Sequence, residues 1–163
     1  MDTKQLENDF LEMINAQKRV IYKVCYVYAN DQEELNDLFQ EVVLNLWKGF
    51  PSYRGDSRLS TWVYRISMNT CITYLRHTST RPKTIPITAN VIGQYADDSG
   101  KSEQLQELYS LISRLGKLER ALILLWLEER SYQEMADILG ISKINVAVKL
   151  NRIREKLKKM SNH

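Results

Sequence analysis

The sequence predicts an all-α chain made of two small helical domains, an N-terminal helical bundle and a C-terminal helix-turn-helix domain, joined by a flexible linker. Three observations carry this reading. Apolar residues recur through both halves at the three-and-four spacing of a buried helical face. From His77 to about Ser102, Thr, Ser, Pro, Asp and Gly dominate, with Pro82, Pro86 and Gly100 as breakers. An interval of roughly 25 residues is far longer than an ordinary loop and marks a domain boundary. Lastly, Ser131 to Met160 has the caps and turn of a helix-turn-helix. With 163 residues and 44% apolar content, the chain can bury one medium core or two small ones, and two small ones is the preferred reading.

Leu6, Phe10, Ile14, Val20, Ile21, Val24 and Val27 mark one or two opening helices, with Asn15 to Arg19 as a possible adjustment between them. Asp31 starts the next helix, because its carboxylate can accept from free first-turn amides while Glu34 completes a capping-box-like pair. Leu35, Leu38, Phe39, Val42, Val43, Leu46 and Trp47 form its buried stripe, leaving Asp37, Gln40, Glu41, Leu44 and Asn45 outward. This outer face holds no base that could pair with the two acids, so it suits a basic partner with an apolar contact at Leu44, or is simply solvated. Gly49 permits a left-handed turn and Pro51 forbids continuation, which ends the helix.

The loop Ser52, Tyr53, Arg54, Gly55, Asp56, Ser57, with Arg58 after it, sets an aromatic, a guanidinium and a glycine ahead of a helix capped by Ser57 or Ser60. Such a loop can take up a base that has left the stack. In the helix that follows, Leu59, Trp62, Val63, Ile66 and Thr70 face the core, and Tyr64, Arg65, Met68, Asn69 and Arg76 are left over. Amide, guanidinium and aromatic groups can hydrogen-bond base edges and stack on unpaired bases, so this is read as a surface for single-stranded or melting DNA. The same pattern would serve a core helix with an aromatic-rich shoulder.

Helical order returns with Leu105, Leu108, Leu111, Ile112 and Leu115, breaks at Gly116, and resumes through Leu118, Ala121, Leu122, Leu125 and Trp126. Ser131 then caps a short helix with Glu134 at the capping-box position; Ala136 is small where helices cross, Gly140 sits at the turn, and Ser142 caps a second helix buried through Val146 and Leu150. Ser142, Lys143, Ile144, Asn145, Ala147, Lys149 and Arg152 are the groups it can offer a major groove.

Charge distribution agrees. The net charge is only +3, but from Gly140 onward seven Lys and Arg face one acid, whereas residues 1–80 hold nine bases against ten acids. A basic C-terminal stripe suits a polyanion. Cys25 and Cys71 lie on apolar helical faces without Cys-x-x-Cys spacing and are expected to be reduced core residues. His77 and His163 lack companion ligands, so no metal and no cofactor is expected. No paired-carboxylate or Ser/His/Asp constellation appears, which argues against an enzyme. No apolar run approaches membrane-spanning length, so the chain is expected to be cytoplasmic and not itself a membrane protein.

In this order and spacing, the segments resemble a bacterial RNA polymerase sigma factor of the extracytoplasmic function (ECF) type, in the sigma-70 family. DQEELNDLFQEVVLNLWKGF is similar to the family's polymerase-binding helix, SRLSTWVYRISMNTCITYLR to its promoter-melting and minus-ten recognition helix, and Ser131 to Met160 to its minus-thirty-five-binding helix-turn-helix. Two positions depart from the pattern: Thr73 replaces a frequent acid, and Gly116 a usual proline.

The resemblance implies sigma region 2 over 1–78, a linker over 79–103, and sigma region 4 over 104–163. It implies core RNA polymerase, promoter DNA and a membrane-anchored anti-sigma factor as partners. Asp37, Gln40, Glu41, Leu44 and Asn45 would dock on polymerase. The stretch from Tyr53 to Arg58 would hold a flipped base, with Tyr64, Arg65, Met68, Asn69 and Arg76 completing the minus-ten surface. A stand-alone helix-turn-helix regulator is the alternative.

Overall fold

The computed structural model describes residues 3–55, 57–77 and 102–161. Among the described residues there are seven α-helices and one short 3-10 turn, with no strand.

The opening segment is one helix, α1 (Thr3–Tyr28), unbroken through Asn15 to Arg19 because it contains neither Gly nor Pro. It buries Phe10, Met13, Ile21, Val24, Cys25, Val27 and Tyr28. Helix α2 (Gln32–Gly49) begins where Asp31 leaves helical geometry and its carboxylate accepts from the Glu34 amide at 2.8 Å. The returning arm of the expected box lands one residue early: the Glu34 carboxylate accepts from the Asn30 amide at 2.9 Å.

At Gly49 the expectation of a left-handed turn fails, since φ is −89 and a 3-10 turn, Phe50–Ser52, follows directly. Close approach accounts for the glycine better, because a Cβ there would meet Trp62 Cζ2 at 3.3 Å. Helix α3 (Leu59–His77) lies across both α1 and α2 to close a three-helix bundle. Phe10 packs edge-on against Trp47 and Phe50 at centroid distances of 5.0 and 5.4 Å, sealing the end of the bundle where the loop ahead of α3 begins.

In the second half, α4 (Ser102–Ile112) is followed by a turn to Gly116, which caps α5 (Lys117–Leu127) with its own amide donating to the Glu119 carboxylate at 2.8 Å. Helix α5 is buried on most sides, with Ala121, Leu122, Ile123, Leu124 and Leu125 all in the core. Trp126, expected in the buried stripe, is 38% exposed and carries the Arg154 guanidinium 5.0 Å over its ring.

Helices α6 (Tyr132–Leu139) and α7 (Lys143–Ser161) form the helix-turn-helix. Ser131 and Glu134 form the expected reciprocal capping box, and the Ser142 hydroxyl accepts from the Asn145 amide at 3.1 Å. Gly140 ends α6 in the left-handed region, φ 69. A Cβ at Gly140 would meet nothing within 4 Å, so Gly140→Ala tests backbone conformation alone. It should cost about 1 kcal/mol in urea unfolding. An unchanged midpoint would show that the turn relaxes without strain.

The two halves pack against each other, α1 against α5 and α3 against α6. Buried Tyr28 donates its hydroxyl to the Lys117 carbonyl at 2.6 Å, and Tyr26 meets Tyr109 edge-on at 5.0 Å.

Candidate polymerase and nucleic-acid interfaces

On α2 the burial of Leu35, Leu38, Val42 and Leu46 turns the opposite side outward, as the periodicity predicts. Gln40 and Glu41 are exposed, Asp37 and Asn45 half-buried, and Leu44 is 46% exposed at the centre of the face. Among the described residues, neither Asp37 nor Glu41 has an ion-pair partner. Asn45 is turned towards α3, donating to the Thr70 hydroxyl at 2.9 Å, which in turn donates to the Ile66 carbonyl at 2.6 Å. An open groove of about 520 Å³ lies alongside, lined by Glu41, Asn45, Ile66, Asn69, Thr70 and Tyr74 among others. The acidic face and Asn69, an expected base reader, thus belong to one surface.

Ahead of α3, Tyr53 holds the loop in shape. Its hydroxyl donates to the Ser57 carbonyl at 2.6 Å, and its ring lies 4.9 Å from that of Trp62. Gly55 has φ 79 with nothing near its missing Cβ, so the residue is needed for backbone conformation. Arg54 and Arg58 are exposed beside it, and Ser57 is half-buried. Asp56 and the side chain of Arg76 fall outside the described residues.

Tyr64 and Met68 are not outward. Both are fully buried, in a helix that packs against α1, α2 and α6. Arg130 stacks 5.1 Å over the Tyr64 ring. Burial pushes the Tyr64 phenol up to about 12, with Glu128 adding and Arg130 opposing. Arg65 is half-buried and donates to the Asp137 carbonyl at 2.8 Å, while Asn69 is exposed.

The outer side of α7 is open. Ser142, Lys143, Ile144, Asn145 and Arg152 are exposed, with Ala147 and Lys149 half-buried. Ile144 is 77% exposed and Val148, one turn on, 41%. Apolar groups so placed between Lys143 and Arg152 suit a groove where thymine methyls project. Lys156 is turned aside to Glu119 at 3.2 Å. The Glu119 carboxyl, though partly desolvated, sits below its usual range because the Gly116 amide and Lys156 favour its ionised form.

This geometry can be set beside known proteins. Sigma-70 region 2 matches residues 13–81, and Sigma-70, region 4 matches residues 105–157. RNA polymerase sigma factor YlaC of Bacillus subtilis (strain 168) is 33% identical over 135 residues, covering 78% of this chain and 77% of YlaC. This chain belongs to the sigma-70 family, as an ECF-type sigma factor. ECF RNA polymerase sigma factor SigG of Mycobacterium tuberculosis (strain CDC 1551 / Oshkosh) is 31% identical over 100 residues, 61% of this chain, and the match spans 26% of SigG. The fold is shared with the sigma factor RpoE of Bartonella quintana, solved in complex with the anti-sigma factor NepR: TM-score 0.73 at 18% identity, over 98% of each chain.

In this sigma factor two arginines matter that the sequence reading passed over. The half-buried Arg120 guanidinium donates to the carbonyls of Ser113 at 2.7 Å, Leu115 at 2.9 Å and Val27 at 3.4 Å, which ties the α4–α5 turn to the end of α1. Arg130 reaches the Ser60 hydroxyl at 3.3 Å and Glu134 at 3.2 Å. Arg120 had a signal, a charge next to the apolar run from Ala121; Arg130 had none beyond its place before a cap.

Proposed function

We propose that this sigma factor binds core RNA polymerase through Asp37, Gln40, Glu41, Leu44 and Asn45 and directs it to promoters. In this reading it recognises minus-ten and minus-thirty-five elements and promotes strand opening. The observation that carries the reading is the shared surface of α2 and α3, where an unpaired acidic face with an exposed leucine adjoins Asn69 across one groove. A protein that brings polymerase and an opened strand together needs those surfaces side by side.

The division into region 2 over 1–78, a linker over 79–103 and region 4 over 104–163 follows the same reading. We assign the protein no catalytic chemistry of its own. Among the described residues no helix is long and apolar enough to cross a membrane, and we place the protein in the cytoplasm. A membrane-anchored anti-sigma factor is proposed as a further partner; the fold shared with RpoE, solved with the anti-sigma factor NepR, supports the anti-sigma part of that reading. Matches to both sigma regions favour this over a stand-alone regulator. Run-off transcription with core polymerase on genomic fragments, with sequencing of the start sites, tests the function. Initiation equal to that of core enzyme alone would sink it.

Duplex reading is divided along α7. Asn145→Ala should relax preference at one base pair, by about 1–3 kcal/mol, whereas Lys158→Ala should weaken all sequences alike and lower the salt slope by about 1. Titrating holoenzyme against single-base variants of a mapped promoter at several salt concentrations separates the two. Uniform weakening by both changes would remove Asn145 as a reader.

A further inference from the structure

The buried stripe of α7 is Val146, Leu150 and Ile153. At about 3.6 residues per turn, the row opposite that stripe consists of Ile144, Val148, Asn151 and Glu155. The middle of the outward face is therefore apolar over its first two turns, where Ile144 is 77% exposed and Val148 41%. A single exposed aliphatic residue is ordinary, but two at i and i+4 make one continuous ridge.

The groups beside this ridge are polar or cationic. Asn145 and Arg152 flank it, both exposed, and Lys143 stands at the start of the helix. Lys156, on the same flank as Asn145, is drawn off by Glu119 at 3.2 Å. From Gly140 onward the chain carries seven bases and one acid, and that acid, Glu155, ends the row. Such a surface repels a second copy of itself, and an apolar partner would leave its bases unpaired. A DNA major groove offers phosphates to the bases and a projecting methyl at every thymine. One helical turn advances about 6 Å, close to two base-pair steps of about 3.4 Å.

We propose that Ile144 and Val148 are a methyl-reading pair, which sets specificity in the minus-thirty-five element by packing on the C5-methyl groups of two thymines no more than two base-pair steps apart. The inference rests on the proposed duplex-reading role of α7. It divides the reading chemically: Asn145 addresses a hydrogen-bonding base edge, and the ridge addresses shape and apolar surface beside it. The two thymines can lie on either strand, since both strands project their methyls into the major groove. Glu155 is repelled by phosphate, which confines base reading to the first half of the helix.

The test uses core polymerase loaded with the full chain, on a promoter mapped by its start site. Each thymine of the upstream element, on both strands, is replaced in turn by deoxyuridine, which removes the C5-methyl and keeps every hydrogen-bonding group. Binding is read by fluorescence anisotropy. With the wild-type chain, two such replacements within two steps of each other should each weaken binding about 4-fold, the size of one buried methylene. Ile144→Ala should abolish the response at one of these positions and Val148→Ala at the other, whereas Lys158→Ala should weaken every template alike and keep both responses. Neither alanine should disturb the fold, because both side chains are exposed and alanine favours helix. Deoxyuridine without effect at every position, while Asn145→Ala still relaxes base preference, would overturn methyl reading and leave duplex reading by α7 standing. Full deoxyuridine responses in both alanine variants would place the methyl contacts on other side chains and overturn the pair. Silent deoxyuridine together with unchanged base preference in Asn145→Ala would remove duplex reading by α7 altogether.

Discussion

A chain carrying Asp37→Lys and Glu41→Lys is expected to lose core polymerase while keeping its helices. Both carboxylates lie on the solvent side of α2, neither is paired among the described residues, and Leu44 sits exposed between them and the end of the helix. A complementary basic partner would gain from each acid and be repelled by each replacement. We expect a loss of about 3 kcal/mol, which is about 100-fold in affinity. The fold should survive, because Leu35, Leu38, Val42 and Leu46, on the opposite side, hold α2 in the bundle. Competition against labelled wild-type chain for core enzyme measures the loss, and raising the salt should narrow the gap between the two proteins. Equal competition by the variant and the wild type, with equal circular dichroism, would move polymerase binding to another surface.

The parts of this molecule that were legible in the sequence are those decided within one helical turn. Asp31, Ser131, Gly140 and Ser142 act on backbone groups three or four residues away, so residue type and spacing suffice, and each sits at a helix end in the structure. The stripe of α2 was legible for a similar reason: Gln40, Glu41 and Leu44 stay exposed on its outer face, and period alone divides inside from outside. Helix α3 was only half legible. Val63 and Thr70 are buried as their spacing requires, but Tyr64 and Met68 are buried too, and over the Tyr64 ring lies Arg130 from the second half of the chain, which no local pattern announces. Amphiphilic side chains made the ambiguity worse, since Tyr and Met serve equally as core or as stacking surface. Val148 was passed over because an apolar residue on a helix is assigned to the core by default, and Gly49 was read as a left-handed turn because the close approach of Trp62 depends on α3 crossing over it.

The second large effect concerns strand opening. Each base taken out of the stack costs on the order of a few kcal/mol, and a protein without nucleotide chemistry recovers that only by holding the exposed strand. The groups proposed for doing so are concentrated in two places. One is the loop fixed by Gly55 at φ 79 and by the Tyr53 hydroxyl on the Ser57 carbonyl, with Arg54 exposed at its edge. The other is Asn69, exposed in the groove beside α2. Shortening the loop around Arg54, Gly55 and Asp56, or replacing Asn69→Ala, should leave polymerase binding within about twofold, since the acidic face is untouched. Upstream duplex binding through α7 should also persist. Open complexes should fall about 100-fold with the shortened loop, the equivalent of about 3 kcal/mol and one unsupported flipped base. Permanganate footprinting on a duplex promoter reads this as loss of reactive thymines. A template already mismatched over the melted positions should restore transcription, because it removes the cost of opening and leaves the other contacts in place. Normal thymine reactivity in the loop-shortened chain would mean that strand capture lies elsewhere and that the helix from Leu59 serves the bundle alone.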